Sequence, residues 1–416
     1  MIRLHLQADT REDQERVRET PFFLIERDLL DRNILDFQQA LRTYWPNSKL
    51  AYSIKTNSLP WLLRYLRGWG ILAEAVSDEE YYLALLCGYT DRELVYNGPI
   101  KSSGLLQQAL RSGAYVNLDS ARDLEALGGT STLIGRVGIR VNVPSRSFDP
   151  KDVSCGEDGL RFGWSEENGD FARVLAEVRL SCPDAELGLH LHCNSATRSV
   201  EVYRTIAGHA AEIVRKYKLD LSYIDMGGGY FGGVEGKPGP SDYLRAIREI
   251  LAPAVDSERT ALIVEPGSAL IGSAAELHTS VLDVKDTSQA RIVTTDASRI
   301  HIDPLWGKSR YLYTIQAKKT GSLPRQVICG YTCMDRDRIM CLENAPELSV
   351  GDRIVYRRVG AYSMTFGGMF IRYLPDVYVR DGDDLELVRR RISVQEYHDI
   401  QALGRDHSEP EGPAGA

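Results

Sequence analysis

Lys55 ends an apolar run, LAYSIK, where a cationic side chain needs a physical reason. It must be charged and paired, carry a lowered pKa, or be covalently engaged. A lysine snorkelling at a rim meets the first condition. A lysine that forms imines with carbonyl compounds meets the last, because that chemistry needs an amine partly deprotonated near neutral pH. Gly227, Gly228 and Gly229 in YIDMGGGYFGG leave backbone N–H groups free to converge on an anion, although a glycine-rich turn alone is more often structural. Glu265 in IVEPG ends a second apolar run, with Pro266 and Gly267 turning the chain. His190 and His192 lie two apart on one strand and point the same way. No third and fourth ligand follow at metal-site spacing, so one core-facing and one ring-stacking histidine is preferred, and no metal is expected.

The elements that position these residues are regular. Apolar β-rich runs at Leu50–Lys55, Ile71–Val76, Glu93–Asn97, Ala114–Leu118, Arg136–Val141, Glu186–His192, Ser222–Met226 and Ala261–Glu265 alternate with stretches whose apolar residues recur at helical spacing. Eight such units predict an α/β fold, a (β/α)8 TIM-like barrel over residues 21–270; a doubly wound open sheet is the alternative. The C-terminal strand ends of a barrel share one mouth. They bring Lys55, Glu74, Asn97, Asp119, Arg140, His190, His192, the glycine triplet, Glu265, Gly267 and Ser268 together. After the seventh strand the glycines gain weight as a phosphate cradle. Glu265 is either an ion-pair partner or the carboxylate that keeps a pyridine nitrogen protonated. Strands at Ala275–Val284, Arg291–Thr295, Tyr311–Gln316, Arg325–Cys329, Arg353–Arg357 and Asp376–Val379 predict an antiparallel β-barrel or sandwich domain over 271–400. Residues 144–170 form a polar insertion that either shapes the mouth or is plain surface loop, and 401–416 reads as a disordered tail.

A net charge of −8 without a basic block argues against nucleic acid or an anionic membrane as partner. The first twenty residues lack a signal peptide's apolar core, no run is long enough to span a bilayer, and seven cysteines without C-x-x-C pairs suit reduced thiols. A cytoplasmic location is expected.

Together the motifs resemble the fold type III pyridoxal-phosphate decarboxylases, the group of ornithine, arginine and diaminopimelate decarboxylases. AYSIKTN is similar to the family's Tyr-x-x-Lys-x-Asn segment, and HLHCNS to its His-x-Gly-Ser segment. IDMGGGYFGG is similar to its glycine loop, VEPGS to Glu-Pro-Gly-Arg, GYTCMDRD to Gly-Pro-x-Cys and GAYSMTF to Gly-Ala-Tyr. The resemblance implies pyridoxal 5'-phosphate as cofactor, with Lys55 its Schiff-base residue, His192 stacked on the ring and Glu265 at the pyridine nitrogen. It implies Ser195, Gly227–Gly229 and Tyr362 near the phosphate, and Cys333 as proton donor. It also implies a head-to-tail homodimer with shared sites, Lys55 from one subunit and Cys333 from the other, and that residues 1–20 join the second domain.

The departures bear on substrate. Ser268 stands where the family has an arginine that contacts the phosphate and, in diaminopimelate decarboxylases, the distal carboxylate. Asp303 stands where those enzymes carry a second arginine, and Met334 replaces the acidic residue after the cysteine that reads a distal amine. Asp335 and Asp303 remain as amine partners, and Met334 as a gap-filling wall. Diaminopimelate and ornithine are therefore disfavoured. A modified or conjugated amino acid from specialised biosynthesis, as in siderophore or antibiotic assembly, is the expectation. An amino-acid racemase on the same barrel and a cofactor carrier are the competing readings.

Overall fold

The structure, a computed structural model, describes residues 18–128, 135–153, 155 and 158–402. Its first strand, β1 (Phe22–Glu26), joins the second domain's sheet and not the barrel, five residues past the boundary read at residue 21. The barrel strands follow: β2 (Ser48–Ser53), β3 (Leu72–Ala75), β4 (Leu94–Tyr96), β5 (Tyr115–Leu118) and β6 (Arg136–Asn142). A two-residue spur, β7 (Trp164–Ser165), pairs on β6, and β8 (Glu186–His190), β9 (Tyr223–Asp225) and β10 (Ala261–Val264) complete the set. Neighbours are parallel, and the pairings β10–β2 and β5–β6 close the eight strands into a ring. All eight predicted strands are present in this ring, so the open-sheet alternative falls.

The helices outside the ring form where the apolar spacing predicts. Pro240–Leu251 starts on a proline, which suits the first turn, and turns Tyr243, Leu244, Ala246, Ile247 and Leu251 inward. Burying each such large side chain contributes about 1.5–3 kcal/mol. Within the ring, Ala51, Leu72, Val95, Tyr115, Tyr223 and Ile263 pack as one layer. Tyr223 fits only because β6 and β8 carry glycines beside it. A Cβ at Gly188 would lie 2.2 Å from its ring, and one at Gly138 2.5 Å from its hydroxyl. That hydroxyl donates to Asn117 Oδ1 (3.0 Å), so the packed layer supports the polar residues above it.

The second domain adds β11 (Ala275–Asp286), β12 (Arg291–Thr295), β13 (Leu312–Gln316), β14 (Ser322–Cys329), β15 (Arg338–Pro346), β16 (Arg353–Arg357), β17 (Asp376–Asp381) and β18 (Asp384–Arg389). Its sheet is mostly antiparallel, as expected, with two parallel pairings, β1–β17 and β12–β14. Parallel pairing needs a long crossover. The whole barrel lies between β1 and β17, and the segment with β13 lies between β12 and β14. Arg18 O accepts from Arg353 Nη2 (3.1 Å) and Thr20 Oγ1 donates to Ser280 Oγ (2.6 Å), tying the described start of the chain to this domain. Residues 403–416 of the expected disordered tail lie outside the described residues, as do residues 1–17. Among the described residues no helix is long and apolar enough to cross a membrane.

Candidate active site

The strand ends open into one cavity of about 470 Å³. Lys55, Glu74, Asn97, Arg140, His190, His192, Ser195, Gly228, Gly229, Glu265, Gly267, Ser268 and Tyr362 all line it. Gly227 lies just behind: a Cβ there would sit 2.6 Å from His192 Cβ and 2.7 Å from its Nδ1, so its lack of a side chain leaves room for the imidazole. Gly227 also takes φ +62, which glycine adopts without strain.

Lys55 is not on a strand. β2 ends at Ser53, and the lysine sits on a single 3₁₀ turn, Ile54–Thr56. The second domain pins that turn: Thr56 O accepts from Tyr362 N (2.8 Å) and Asn57 Nδ2 donates to Gly360 O (3.0 Å). Lys55 Nζ lies 2.8 Å from Glu74 Oε2, and its side chain is 41% exposed toward the cavity. Burial depresses the amine's pKa, but the Glu74 carboxylate outweighs it with help from Glu265, so the net shift is upward. The lysine is thus paired, not deprotonated. Burial likewise raises Glu74, and Lys55, Ser53 and Asn97 together hold it below the ordinary carboxylate range.

A buried polar string runs from this pair across the barrel floor. Asn97 Nδ2 donates to Glu74 Oε1 (3.1 Å) and to Glu265 Oε1 (2.7 Å). Asn117 Nδ2 donates to Asn97 Oδ1 (2.8 Å) and Asp225 Oδ2 (3.1 Å). Asp225 also accepts from Gly227 N (2.9 Å). Glu265 is pushed well above the ordinary range, first by burial and then by the Asp225 and Glu74 carboxyls. A carboxyl so placed gains its charge most readily against a cation in the cavity. His190 Nε2 is 3.9 Å from Glu265 Oε2, but burial and then Arg140 keep this ring neutral, and neither of its nitrogens has a hydrogen-bond partner among the described residues. Ligand atoms of His190, Asp225 and Glu265 lie within 4.8 Å of one another. His192 is held down to about 3 by burial and then Arg140, and its Nδ1 accepts from Gly228 N (3.3 Å). It presents a neutral ring with the proton assigned to Nε2.

The 144–170 insertion shapes the mouth. Asn142 Nδ2 holds Leu160 O and Phe162 O (2.7 Å each), and Gly163 N donates to Asp119 Oδ1 (2.7 Å). This brings Arg161 and Phe162 onto the cavity wall. Arg140, bound to Asp119 Oδ2 (2.7 Å), stacks 4.6 Å from the Phe162 ring. The opposite wall holds Ser195, Gly228, Gly229, Ser268 and Tyr362, and also Arg198, which the motifs did not single out. Arg198 Nη1 donates to Ser268 Oγ (3.0 Å) across seventy positions of sequence. Its only sequence signal is a cation placed just after HLHCNS.

Besides Gly227 and Asp119, four predicted residues do not line this cavity. Asp303 is buried but saturated: it accepts from Arg299 Nη2 (2.8 Å), Gly307 N, Lys308 N and Tyr311 OH (3.0 Å each). This corrects its reading as an amine partner. Asp335 lies 95% exposed against Arg338, which removes it from the same role within its own chain. Cys333 is exposed and Met334 half-buried on the loop after β14. None of the three touches the barrel mouth of its own chain.

These residues fit pyridoxal phosphate on their own chemistry. An amine projects into the cavity, a flat neutral imidazole faces it, and a buried carboxyl in need of a cation sits at its floor. Glycine N–H groups and hydroxyls stand on the wall after the seventh and eighth barrel strands. Comparison with known proteins agrees. The pyridoxal-binding-domain signature of the pyridoxal-dependent decarboxylases matches residues 28–272, and the chain belongs to that family. It is a pyridoxal-phosphate enzyme of the carboxy-lyase class, which sets aside the racemase and carrier readings. It is 27% identical over 396 residues to a probable chloroplastic diaminopimelate decarboxylase of Oryza sativa subsp. japonica, covering 91% of this chain and 79% of that one. It is 26% identical over 403 residues to the L-glutamyl-[BtrI acyl-carrier protein] decarboxylase of Niallia circulans, covering 90% and 91%. The fold is that of the Helicobacter pylori diaminopimelate decarboxylase solved with L-lysine (TM-score 0.80, 23% identity, 95% of this chain and 100% of that one).

Proposed function

We propose that this decarboxylase acts on an amino acid carrying a modified or conjugated side chain, and not on free diaminopimelate or ornithine. The observation that carries the reading is the substrate side of the cavity. Ser268 and Asp303 stand where the diaminopimelate enzymes carry arginines, and Asp303 is occupied by donors from four residues, leaving no free carboxylate there for a distal amine. That a relative acts on a glutamyl group held on a carrier protein supports it.

When bound, the cofactor would supply an electron-accepting ring. Lys55 would hold it, and Glu74, 2.8 Å from Nζ, would set the proton on that amine. Glu265, oriented by the Asn97 amide, would be the carboxyl for the ring nitrogen. His192 would offer its neutral ring to the cofactor, and Ser195, the Gly227–Gly229 loop, Gly267 and Tyr362 would hold its phosphate, with Arg140, Asp119 and Phe162 at the mouth. Cys333, exposed on its own subunit, donates the proton to the α-carbon in a head-to-tail dimer, with Met334 lining the shared wall. The test is CO2 release from diaminopimelate, lysine, ornithine and glutamyl thioesters of pantetheine. Faster release from the conjugates is expected; rapid turnover of a free diamino acid would overturn the proposal.

A further inference from the structure

A second cavity of about 440 Å³ opens beside the first, and the two share Arg198, Ser268 and Tyr362 as their common wall. Its charged lining is unbalanced. Three cations face it, Arg198, Lys308 and Arg358, against a single carboxylate, Asp303. That carboxylate is already neutralised by Arg299 at 2.8 Å. The cations have few partners. Arg198 donates to the neutral Ser268 hydroxyl and lies 5.4 Å from the Phe231 ring. Lys308 Nζ donates to Ile302 O (2.9 Å), a backbone carbonyl. Among the described residues Arg358 has no hydrogen-bond or ion-pair partner, and its backbone takes φ 57, which is uncommon for a side chain of this size.

Arg198 is also held in place. Its N–H donates to Ser195 Oγ (2.7 Å) and its carbonyl accepts from Tyr243 OH (2.7 Å), fixing the backbone in a left-handed turn at φ 54. The guanidinium is thereby aimed at position 268, where a small hydroxyl leaves room for it. A planar donor fork without a carboxylate partner, between two connected cavities, suits an oxyanion entering from either.

We propose that Arg198 supplies the anion-reading cation that position 268 lacks, and that Arg198, Lys308 and Arg358 make the second cavity a site for a carboxylate or phosphate at the far end of the substrate. This rests on, and narrows, the reading of the substrate as a modified amino acid. The substrate's reacting carbon stays in the first cavity, while its side chain passes Ser268 and Tyr362 into the second.

The experiment uses reduced phosphopyridoxyl adducts of amino acids, which need no turnover. Adducts of L-2-aminoadipate, O-phospho-L-homoserine, L-norleucine and L-lysine are titrated against the apo-protein by fluorescence. The aminoadipate or phosphohomoserine adduct should bind about tenfold tighter than the norleucine adduct, the worth of a charge-assisted contact, and the lysine adduct weakest. Whichever anionic adduct binds more tightly distinguishes carboxylate from phosphate. Arg198→Gln should abolish the advantage, and the doubly substituted Lys308→Gln/Arg358→Gln protein, changed only at exposed side chains, should reduce it. Any loss for the norleucine adduct in Arg198→Gln should be smaller than the loss for the anionic adducts. Equal affinities for anionic and neutral adducts would overturn the inference alone. So would an equal loss for all adducts in Arg198→Gln, which would make Arg198 a ligand of the cofactor phosphate. If no adduct bound, the cofactor site itself would be misread, and the inference would fall with it.

Discussion

Replacing Glu74 by glutamine should speed the attachment of cofactor, contrary to what loss of a site residue usually does. At 2.8 Å the Glu74 carboxylate and Lys55 ammonium attract by roughly 6 kcal/mol if the effective dielectric is about 20. The Lys55 side chain is 41% exposed, so screening cuts this to about 1–3 kcal/mol. Glutamine keeps the shape and can still accept from Asn97 through its amide oxygen, while its amide nitrogen donates to Ser53 Oγ in place of accepting from it; the charge that raises the amine's pKa is gone. Burial, which acts in the opposite direction, then dominates. Only the unprotonated amine attacks the cofactor's carbonyl, so attachment near neutral pH should quicken by roughly 5- to 150-fold. The assay mixes apo-protein with pyridoxal phosphate and follows the visible absorbance from about pH 6 to about 10, below and around the ordinary lysine value. The gap between the two proteins should be widest near neutral pH and narrow only as the pH climbs toward the parent amine's raised value. A variant that attaches cofactor no faster than the parent near pH 7, while melting normally, would refute the role assigned to Glu74.

Glu265→Gln should slow CO2 release by roughly 10- to 1,000-fold, with cofactor still bound, because a neutral amide cannot hold the proton on the ring nitrogen; a rate within twofold of the parent would contradict it. Cys333→Ala should lower turnover without weakening cofactor binding, and mixing it with Lys55→Ala subunits should restore part of the activity if the sites are shared. No restoration in verified mixed dimers would count against the shared site. Glu80, whose carboxyl accepts from Val76 N (2.8 Å), is pushed up to about 7 by burial. Its folded pKa exceeds its unfolded one, so its stabilising contribution is complete below about pH 4.5 and is lost as pH rises through 7. Glu80→Gln should therefore gain on the parent by up to about 1.4 kcal/mol per pH unit across that window in urea melts; a pH-independent difference would refute the shift.

The barrel was legible because strands buried on both faces read as continuous apolar runs, and all eight are where the runs fall. β15 and β18 were missed because exposed residues interrupt their apolar pattern, although each pairs with the strand just before it, β15 with β14 and β18 with β17. β1 was missed because its partners β11 and β17 lie hundreds of residues away. In the site, residue types with unusual requirements were visible: a lysine closing an apolar run, a glycine triplet and a carboxylate before Pro-Gly. What spacing hides is pairing. Nothing local to Lys55 shows that Glu74 holds its charge, nor does Asp303 reveal that Arg299 and Tyr311 already occupy it. Asn117 and Asp225 escaped notice because their roles arise only when β5 and β9 face each other across the barrel, over the slot that Gly138 and Gly188 leave for Tyr223.

The central claim is that Lys55 anchors the cofactor at this mouth. Borohydride reduction of the cofactor-loaded protein, followed by proteolysis and mass spectrometry of the peptides, tests it in one step. The phosphopyridoxyl mass should appear on the peptide spanning AYSIKTN, on Lys55, and should be absent from a Lys55→Ala protein. A label on another lysine, or a label that persists in Lys55→Ala, would contradict the account.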